Sequence, residues 1–199
     1  MRKSIMGLFA LCLAALVPAA KAQTARTTFD VYVIDVEGGN ATLFVAPSGQ
    51  SVLIDTGNSG AGAPRDAGRI MAAAKDAGLT QIDNLITTHW HGDHFGGMAI
   101  LASKVPIREF IDHGPNVQPG ESADTFLKNT YPRLYAQSKH TVAKAGDKIS
   151  MTSLDVRVVA SAGETIKTAL PGAGQPNPYW RVSSPEITMP RTRSPSRST

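Results

Sequence analysis

The chain has 199 residues, of which 42% are hydrophobic, and it contains 18 glycines and 13 prolines. This composition supplies a hydrophobic core and many turns, and it excludes a coiled coil, a collagen and a globally disordered chain. The formal charge of +4 comes from the two ends, because the Lys and Arg excess lies in residues 1–22 and 181–199. The body between them has a slight acidic excess and no basic patch by count.

The N-terminus has the pattern of a secretion signal. Two basic residues precede an apolar run over residues 5–17, and the small-x-small site Ala20-Lys21-Ala22 precedes Gln23. We expect 1–22 to be cleaved and the protein to be secreted or periplasmic. An uncleaved anchor is the alternative, but a membrane span needs about 20 apolar residues. The only cysteine, Cys12, lies in the run, so the mature protein would hold any metal through His, Asp or Glu.

The first half of the chain predicts a β-meander followed by a β-α-β unit, because alternating apolar runs are separated by turn residues and one longer helical segment ends at a glycine. In the first strand, Phe29, Val31 and Val33 lie mostly on one face. The predicted elements are strands at Thr28–Val36, Ala41–Ala46 and Ser51–Ile54, a helix at Pro64–Ala77 and a strand at Asp83–Thr88.

The second half continues with alternating helices and strands, which predicts an α/β (α+β) sheet covered by helices. We place the folded domain at residues 28–164. Residues 165–199 are predicted to be a loop and a disordered or out-of-frame tail rich in Arg, Ser, Pro and Thr. The later predicted elements are helices at Gly97–Ser103 and Asp124–Ala136, and strands at Ile107–Ile111, Lys148–Met151 and Leu154–Val159.

A histidine cluster directly after the strand at Asp83–Thr88 is the strongest chemical signal. His89, His91, Asp93 and His94 place four possible metal ligands within six residues. Residues two apart at a strand end project to the same side, so His89 and His91 can converge on one ion. Imidazole and carboxylate ligands suit zinc. The alternative is a surface loop that happens to be rich in histidine.

The segment from Thr88 to Gly97, THWHGDHFGG, resembles the H-x-H-x-D-H motif of the metallo-β-lactamase superfamily. The resemblance extends back through the meander, which ends in Leu53-Ile54-Asp55-Thr56-Gly57. The opening VIDVEGGNA at Val33–Ala41 resembles the branch that contains the hydrolase-like domain of competence proteins. In all, the resemblance covers residues 29–160.

The resemblance implies a four-layer αββα sandwich of which this chain holds the N-terminal part. It also implies that His89 and His91 hold a first zinc ion and that Asp93 and His94 help to hold a second. A hydroxide bound by the metals would be the nucleophile of hydrolysis, and Asp93 would orient or deprotonate the water. Asp55 would steady the ligands from behind, or it forms an ordinary Asx turn.

The later ligands that the family requires have no clear counterparts. His140 is either a later metal ligand or a surface histidine, and its position at a helix end and strand start favours the surface histidine. Glu164 stands where a histidine is expected, and it either replaces that ligand or is a solvated loop residue. His113 either contacts substrate or caps a strand. The bridging aspartate and the last histidine have no candidates, since only Glu186 is acidic beyond Glu164. We therefore expect an apparently truncated domain with an exposed apolar sheet.

Three functional hypotheses follow. The leading one is an exported zinc-dependent hydrolase acting on a small-molecule or phosphodiester substrate, with one or two ions. The second is a catalytically inactive product that binds at most one metal. The third is a weak extracytoplasmic nucleic-acid-binding module, for which the four arginines of residues 181–199 would give only salt-sensitive contacts. No stable membrane span is expected once the signal is removed.

Overall fold

The computed structural model describes residues 26–118 and 120–175. The predicted signal at 1–22, Cys12 within it and the tail at 181–199 lie outside these residues, so export stays a prediction. The described chain contains the strands β1 Asp30–Val33, β2 Thr42–Val45, β3 Ser51–Ile54, β4 Ile82–Ile86, β5 Ile107–Asp112, β6 Lys139–Val142, β7 Lys148–Met151, β8 Leu154–Arg157, β9 Ala160–Ser161 and β10 Glu164–Thr165. Its helices are α1 Ala63–Asp76, α2 Gly92–Phe95, α3 Met98–Ala102, α4 Glu121–Asn129 and α5 Tyr131–Leu134, with a 3₁₀ turn at Gly60–Gly62.

The main sheet has six strands in the order β1 to β6. The first three strands pair antiparallel as the predicted meander, and β3 to β6 then pair in parallel. Leu53 stands opposite Leu85, and Leu85 opposite Phe110, across the parallel part. Parallel strands bring their carboxyl ends to one edge of the sheet, where open α/β folds place their sites. The chain leaves β4 at that edge and enters the histidine cluster.

The main core lies between one face of the sheet and the helices. Leu43, Leu53, Leu85 and Phe110 from the strands are completely buried. They belong to one cluster with apolar residues of the helices, including Ile70 of α1. The regular 3.6-residue spacing of the apolar positions of α1 turns one face of the helix toward this core. The mixed α/β class predicted from the sequence is therefore confirmed.

The opposite face of the sheet carries a much smaller apolar cluster. Ala46 and Val52 of the sheet pack there against Met151 of the β7–β8 hairpin. On the edge strand β1 the apolar side chains Val31 and Val33 are 49% and 84% exposed.

Two predicted helices differ from the structure, one because it is divided in two and the other in its bounds. The segment predicted as one helix at Asp124–Ala136 forms α4 and α5, with Pro132 in the first turn of α5. Proline is accepted there because the first turn needs no N–H donor, whereas inside a continuous helix it would lose a hydrogen bond and clash with the preceding turn. The helix predicted at Gly97–Ser103 begins one residue later, and α2 precedes it.

Strand ends account for the other differences from the prediction. The structure stops β8 at Arg157 and adds the two-residue pair β9–β10. Residues 139–142, expected at a helix end and strand start, all belong to β6.

The contacts divide the chain into two compact units, with the boundary after Thr165. In the second unit, the described residues 166–175 form turns, with Ala173 N–H donating to Leu170 O at 2.9 Å. Within the described residues, no helix has the length and apolar character needed to cross a membrane.

Candidate metal centre

The histidine cluster occupies the connection from β4 to α3. After β4 the chain is extended through His91, which precedes the short helix α2 with φ −90° and ψ 146°. The N–H of His94 then donates to His91 O at 2.9 Å. This sharp reversal folds Asp93 and His94 back toward the two earlier histidines, as the sequence predicted for the glycine between them.

The three imidazoles of the cluster contact one another. The rings of His89 and His91 have their centroids 4.5 Å apart, and those of His89 and His94 are 3.9 Å apart. The shortest contact joins Nε2 of His89 to Nδ1 of His91 at 2.9 Å. The Asp93 carboxylate lies 3.7 Å from Nε2 of His94 and is 41% exposed. The structure thus brings all four predicted ligands into one group.

The outer nitrogen of each ring faces an oxygen that accepts a hydrogen bond. Nε2 of His91 contacts the side-chain oxygen of Gln118. Nδ1 of His94 is 2.8 Å from the Asp55 carboxylate. Nδ1 of His89 is 3.1 Å from Oγ1 of Thr88, whose own proton is donated to Asp55.

These partners indicate which nitrogen of each ring is the donor. A nitrogen that donates to an oxygen carries the ring proton, so the other nitrogen carries the lone pair. The lone pairs therefore lie on Nε2 of His89, Nδ1 of His91 and Nε2 of His94, which are the nitrogens directed into the cluster. In that arrangement two lone pairs face each other at 2.9 Å, and they repel unless a cation, or a proton carried by one of the rings, lies between them. The donor set consequently fits a metal ion.

The environment of His89 favours its neutral, metal-binding form. Burial lowers the pKa of His89 below its usual value, and the neighbouring His94 and His91 imidazoles lower it further. The carboxylates of Asp55 and Asp93 act in the opposite direction without reversing the shift. Since a metal ion requires deprotonated ligands, a depressed pKa removes competition from protons.

The spacing of the donors fits metal binding in pairs. Two ligands at the usual zinc distance stand about 3.3 Å apart in a tetrahedron. The observed 2.9 Å between His89 and His91 is a few tenths of an ångström below that value, and the 3.7 Å between Asp93 and His94 is a few tenths above it. Within residues 26–118 and 120–175, no three His, Cys, Asp or Glu side chains are arranged to hold one ion together.

Asp55 is the central support of the cluster. Its side chain is 1% exposed, and its backbone has φ 61°, a left-handed conformation that is uncommon outside glycine. Oδ2 accepts from Thr88 Oγ1 at 2.8 Å and from Asn40 Nδ2 at 3.0 Å, in addition to His94, while Oδ1 accepts from Thr88 N–H at 2.8 Å. Asp55 thus contacts the His94 ring as well as Thr88 and Asn40, and its role in steadying the ligands stays a prediction.

A second support was not identified from the sequence. The Gly39–Asn40 turn packs directly on the loop of residues 87–97 that carries the histidines, which we call the metal loop, because a Cβ atom at Gly39 would lie 2.1 Å from the carbonyl oxygen of Asp93. Asn40 N–H donates to that same carbonyl at 3.3 Å. On the other side, a Cβ at Gly96 would lie 2.0 Å from the backbone of Asn58. Glycines in the sequence motifs allow such close approaches, but only the folded structure shows which backbone atoms they contact.

Asp66 on α1 holds the turn that contains Asn58. Its fully buried carboxylate accepts from the N–H of Asn58 at 2.8 Å and from Nε of Arg65 at 2.7 Å. Burial by itself raises the pKa of Asp66, but the hydrogen bonds from Arg65 and Asn58 outweigh it, and the pKa lies below its usual value. The carboxylate is therefore ionised in the folded protein near neutral pH.

The remaining candidates lie apart from the cluster's hydrogen bonds. His113 follows β5 and has its ring centroid 6.4 Å from that of Trp90. His140 is on β6 and contacts Asp112 at 2.8 Å. Glu164 is an exposed residue of β10, consistent with the solvated alternative. Trp90 is buried, 3% exposed, among aromatic rings.

The sequence model of the metallo-beta-lactamase superfamily matches residues 34–165, and the chain belongs to this superfamily. Two curated relatives are similar to it. Thioesterase pkgB of Emericella nidulans is 35% identical over 85 residues, which cover 43% of this chain and 23% of that protein. The hydroxyacylglutathione hydrolase of Rhodopseudomonas palustris is 30% identical over 117 residues, which cover 57% of this chain and 39% of that protein. The chain thus spans well under half the length of these relatives.

Solved metallo-beta-lactamases give partial structural matches. MEM-A1, a subclass B3 enzyme from a soil metagenome library, matches with a TM-score of 0.44 at 19% identity, covering 63% of this chain and 47% of that one. The Rm3 metallo-beta-lactamase matches with a TM-score of 0.42 at 22% identity, covering 66% of this chain and 49% of that one.

Proposed function

We propose that this chain carries the metal-binding half-site of a zinc-dependent hydrolase. The observation that supports the proposal most directly is the contact of each outer imidazole nitrogen with an oxygen, which leaves the inner nitrogens directed into the cluster. A surface loop that is merely rich in histidine has no reason to place an oxygen against each outer ring nitrogen. Members of the superfamily commonly bind zinc.

In this proposal His89 and His91 hold one ion, and Asp93 and His94 hold a second. When bound, the ions would lower the pKa of water toward ~7 and polarise the oxygen of the substrate. Thr88, Gln118 and Asp55 each hold one histidine in the tautomer that leaves its inner nitrogen free. Fixed outer partners of this kind raise ligand basicity and set ring orientation.

Asp93 has a second role in the proposal. Its carboxylate is 41% exposed, whereas the Asp55 side chain is 1% exposed. Asp93 can therefore receive a proton from an attacking water or hold that water in line with the substrate, while Asp55 supports the ligands from behind. A general base must lie within hydrogen-bond reach of the proton that it takes, and the open side of the cluster gives Asp93 that access.

For the substrate we propose an acyl thioester. This choice is supported by the names of the two curated relatives, a thioesterase and a hydroxyacylglutathione hydrolase. A β-lactam, a lactone and a phosphodiester are the competing substrates, because the same ligand motif serves each of these reactions in other members of the superfamily. We also propose an extracytoplasmic location, supported by the sequence pattern of residues 1–22.

The proposal is tested by zinc content and turnover of the purified full chain. Metal-free protein is refilled with zinc and assayed on an S-acyl glutathione, a chromogenic β-lactam and a bis-aryl phosphodiester. His91→Ala should lose zinc and reduce turnover by more than about 100-fold, because changing even an outer partner costs 10–100-fold. His113→Ala is the matched control and should keep the zinc content of the wild type.

One competing function is an inactive protein that binds a single metal weakly, and it is supported by the finding that no three His, Cys, Asp or Glu side chains of the described residues are arranged to hold one ion. That candidate predicts one equivalent of zinc or less and no turnover of any of the three substrates. Two equivalents with turnover of the thioester would support the proposed hydrolase. Equal turnover by the wild type and His91→Ala would contradict it.

A further inference from the structure

The proposed mechanism does not use one buried carboxylate, that of Asp112, which is linked by hydrogen bonds through Gly114 to Trp90 of the metal loop. Asp112 ends β5 and is 3% exposed. It accepts hydrogen bonds from three donors: Gly114 N–H at 2.6 Å, Tyr131 OH at 2.7 Å and His140 Nε2 at 2.8 Å. Burying an unpaired carboxylate is costly, and three donors offset that cost. The carboxylate therefore connects α5, β6 and the loop after β5 through these three hydrogen bonds.

The donors to Asp112 are themselves held in place. Tyr131 is 3% exposed, and burial together with the adjacent Asp112 raises its pKa far above the usual value, so the hydroxyl stays protonated and donates. The ring of His140 stacks on Tyr135 with centroids 4.2 Å apart and planes 12° apart. Turning the Tyr131 or the His140 ring away from Asp112 would disturb this packing.

One connection runs from this network to the metal loop through Trp90. Gly114, whose N–H donates to Asp112, accepts a hydrogen bond on its carbonyl from Trp90 Nε1 at 2.8 Å. The indole also packs edge-on against Tyr131, with centroids 5.0 Å apart. Trp90 is the residue between His89 and His91. Fixing its side chain on the inner side of the loop fixes the backbone from which both histidines project to the other side.

A second connection runs through the loop that begins at Gly114. Four residues beyond it, Gln118 presents its side-chain oxygen to Nε2 of His91. Asn116 restrains this loop, since its Nδ2 donates to Asp124 at 3.2 Å on α4. Both the backbone position and the tautomer of His91 are therefore linked to the loop that Asp112 anchors.

We propose that Asp112 is a positioning residue for the metal centre, acting through Gly114 and Trp90 on His89 and His91. The proposal rests on the proposed function, because the histidines are taken to hold zinc. Asp112 touches no metal ligand, and its effect passes through a chain of named hydrogen bonds. Outer partners of metal ligands typically change metal affinity by 10–100-fold when replaced.

The test compares Asp112→Asn with Asp83→Asn in the full chain. Asp83 is the control: a buried carboxylate on β4 that accepts hydrogen bonds from Ser51, Gln81 and Arg108, placed near the start of that strand and away from the metal loop. Both substitutions remove one negative charge and one acceptor at similar burial. Two properties are measured, Co²⁺ dissociation constants and hydrogen exchange of the His94, Phe95 and Gly96 amides in metal-free protein.

We expect Asp112→Asn to weaken Co²⁺ binding by 10–100-fold and to speed exchange of the three loop amides by about tenfold. Asp83→Asn should leave both properties at the wild-type values. Tyr131→Phe, which removes one donor and keeps the carboxylate, should shift both in the same direction by a smaller factor. This variant keeps the test valid if Asp112→Asn does not fold.

Two results separate this proposal from the proposed function. If the wild type binds Co²⁺ and Asp112→Asn binds it equally well, with unchanged exchange of the loop amides, the role of Asp112 is refuted and the metal centre stands. If the wild type binds no Co²⁺, the proposed function fails, and the role of Asp112 as the support of a metal centre fails with it. In that case the exchange data still show whether Asp112 holds the loop.

Discussion

Replacing Asp55 by asparagine separates the support of the metal centre from the backbone geometry of its turn. Asparagine tolerates the left-handed φ of 61° found at this position, so the turn should keep its shape. An asparagine oxygen at the Oδ2 position still accepts from Asn40, Thr88 and His94, but it lacks the negative charge that raises the basicity of the His94 ring as a ligand. The amide group at the Oδ1 position, however, faces Thr88 N–H, which now donates to Oδ1 at 2.8 Å.

The expected change in the free energy of unfolding follows from the loss of one hydrogen bond, the one from Thr88 N–H to Oδ1. A hydrogen bond to a charged group contributes about 1.5–3 kcal/mol, and the side chain is 1% exposed, so little of this is recovered from water. We expect Asp55→Asn to lower the free energy of unfolding by about 2 kcal/mol and to weaken zinc binding by 10–100-fold. Urea unfolding and competition with a chromophoric chelator measure the two effects.

The control is Asp35→Asn, because the Asp35 carboxylate is 73% exposed and pairs only with surface partners such as Arg69. Exposed ion pairs contribute about 0–1 kcal/mol, so this variant should bind zinc as the wild type does. Unchanged zinc affinity in Asp55→Asn, with the expected loss of stability, would refute the role of Asp55 in holding the ligands and leave it as a structural residue of the turn.

Three further predictions concern the loop contact, acid stability and export. Gly39→Ala should lower the melting temperature and weaken zinc binding, because its Cβ would lie 2.1 Å from a carbonyl of the metal loop; Gly38→Ala, with open space around it, should do neither. Since the pKa of Asp66 is depressed in the folded state, its stabilisation is present above the unfolded pKa and is lost as the pH falls through the folded pKa. Urea unfolding between pH 7 and 3 should thus show a shallower loss of stability for Asp66→Asn, and equal slopes would contradict this. N-terminal sequencing of protein from an exporting host should begin at Gln23, and a start at Met1 would contradict cleavage.

Much of the local structure was predictable because it depends on neighbours in sequence. The third predicted strand, Ser51–Ile54, has the same bounds in the structure, and α1 begins and ends one residue before the predicted helix. Turn glycines and alternating apolar residues act over a few residues. Where a boundary depended on a proline inside a longer helical pattern, as at Pro132, the single predicted helix was wrong.

The alternation of apolar residues in the first strand did not predict which of its two faces is buried. The alternation in the first strand correctly places Phe29, Val31 and Val33 on one face, but the structure exposes that face and packs Tyr32 and Ile34 toward the main core. Alternation defines two faces of a strand. Which of them meets the helices depends on the pairing with β2 and on the side of the sheet that α1 covers.

The candidate ligands could be predicted from the sequence, because His89, His91, Asp93 and His94 lie within six residues and a strand end followed by a tight turn brings them together. Their surroundings, in contrast, depend on contacts between distant parts of the chain. Asp112 and His140 are 28 residues apart and meet at 2.8 Å because β5 and β6 pair in parallel. Contacts of this kind depend on strand register and loop closure, which no local pattern encodes.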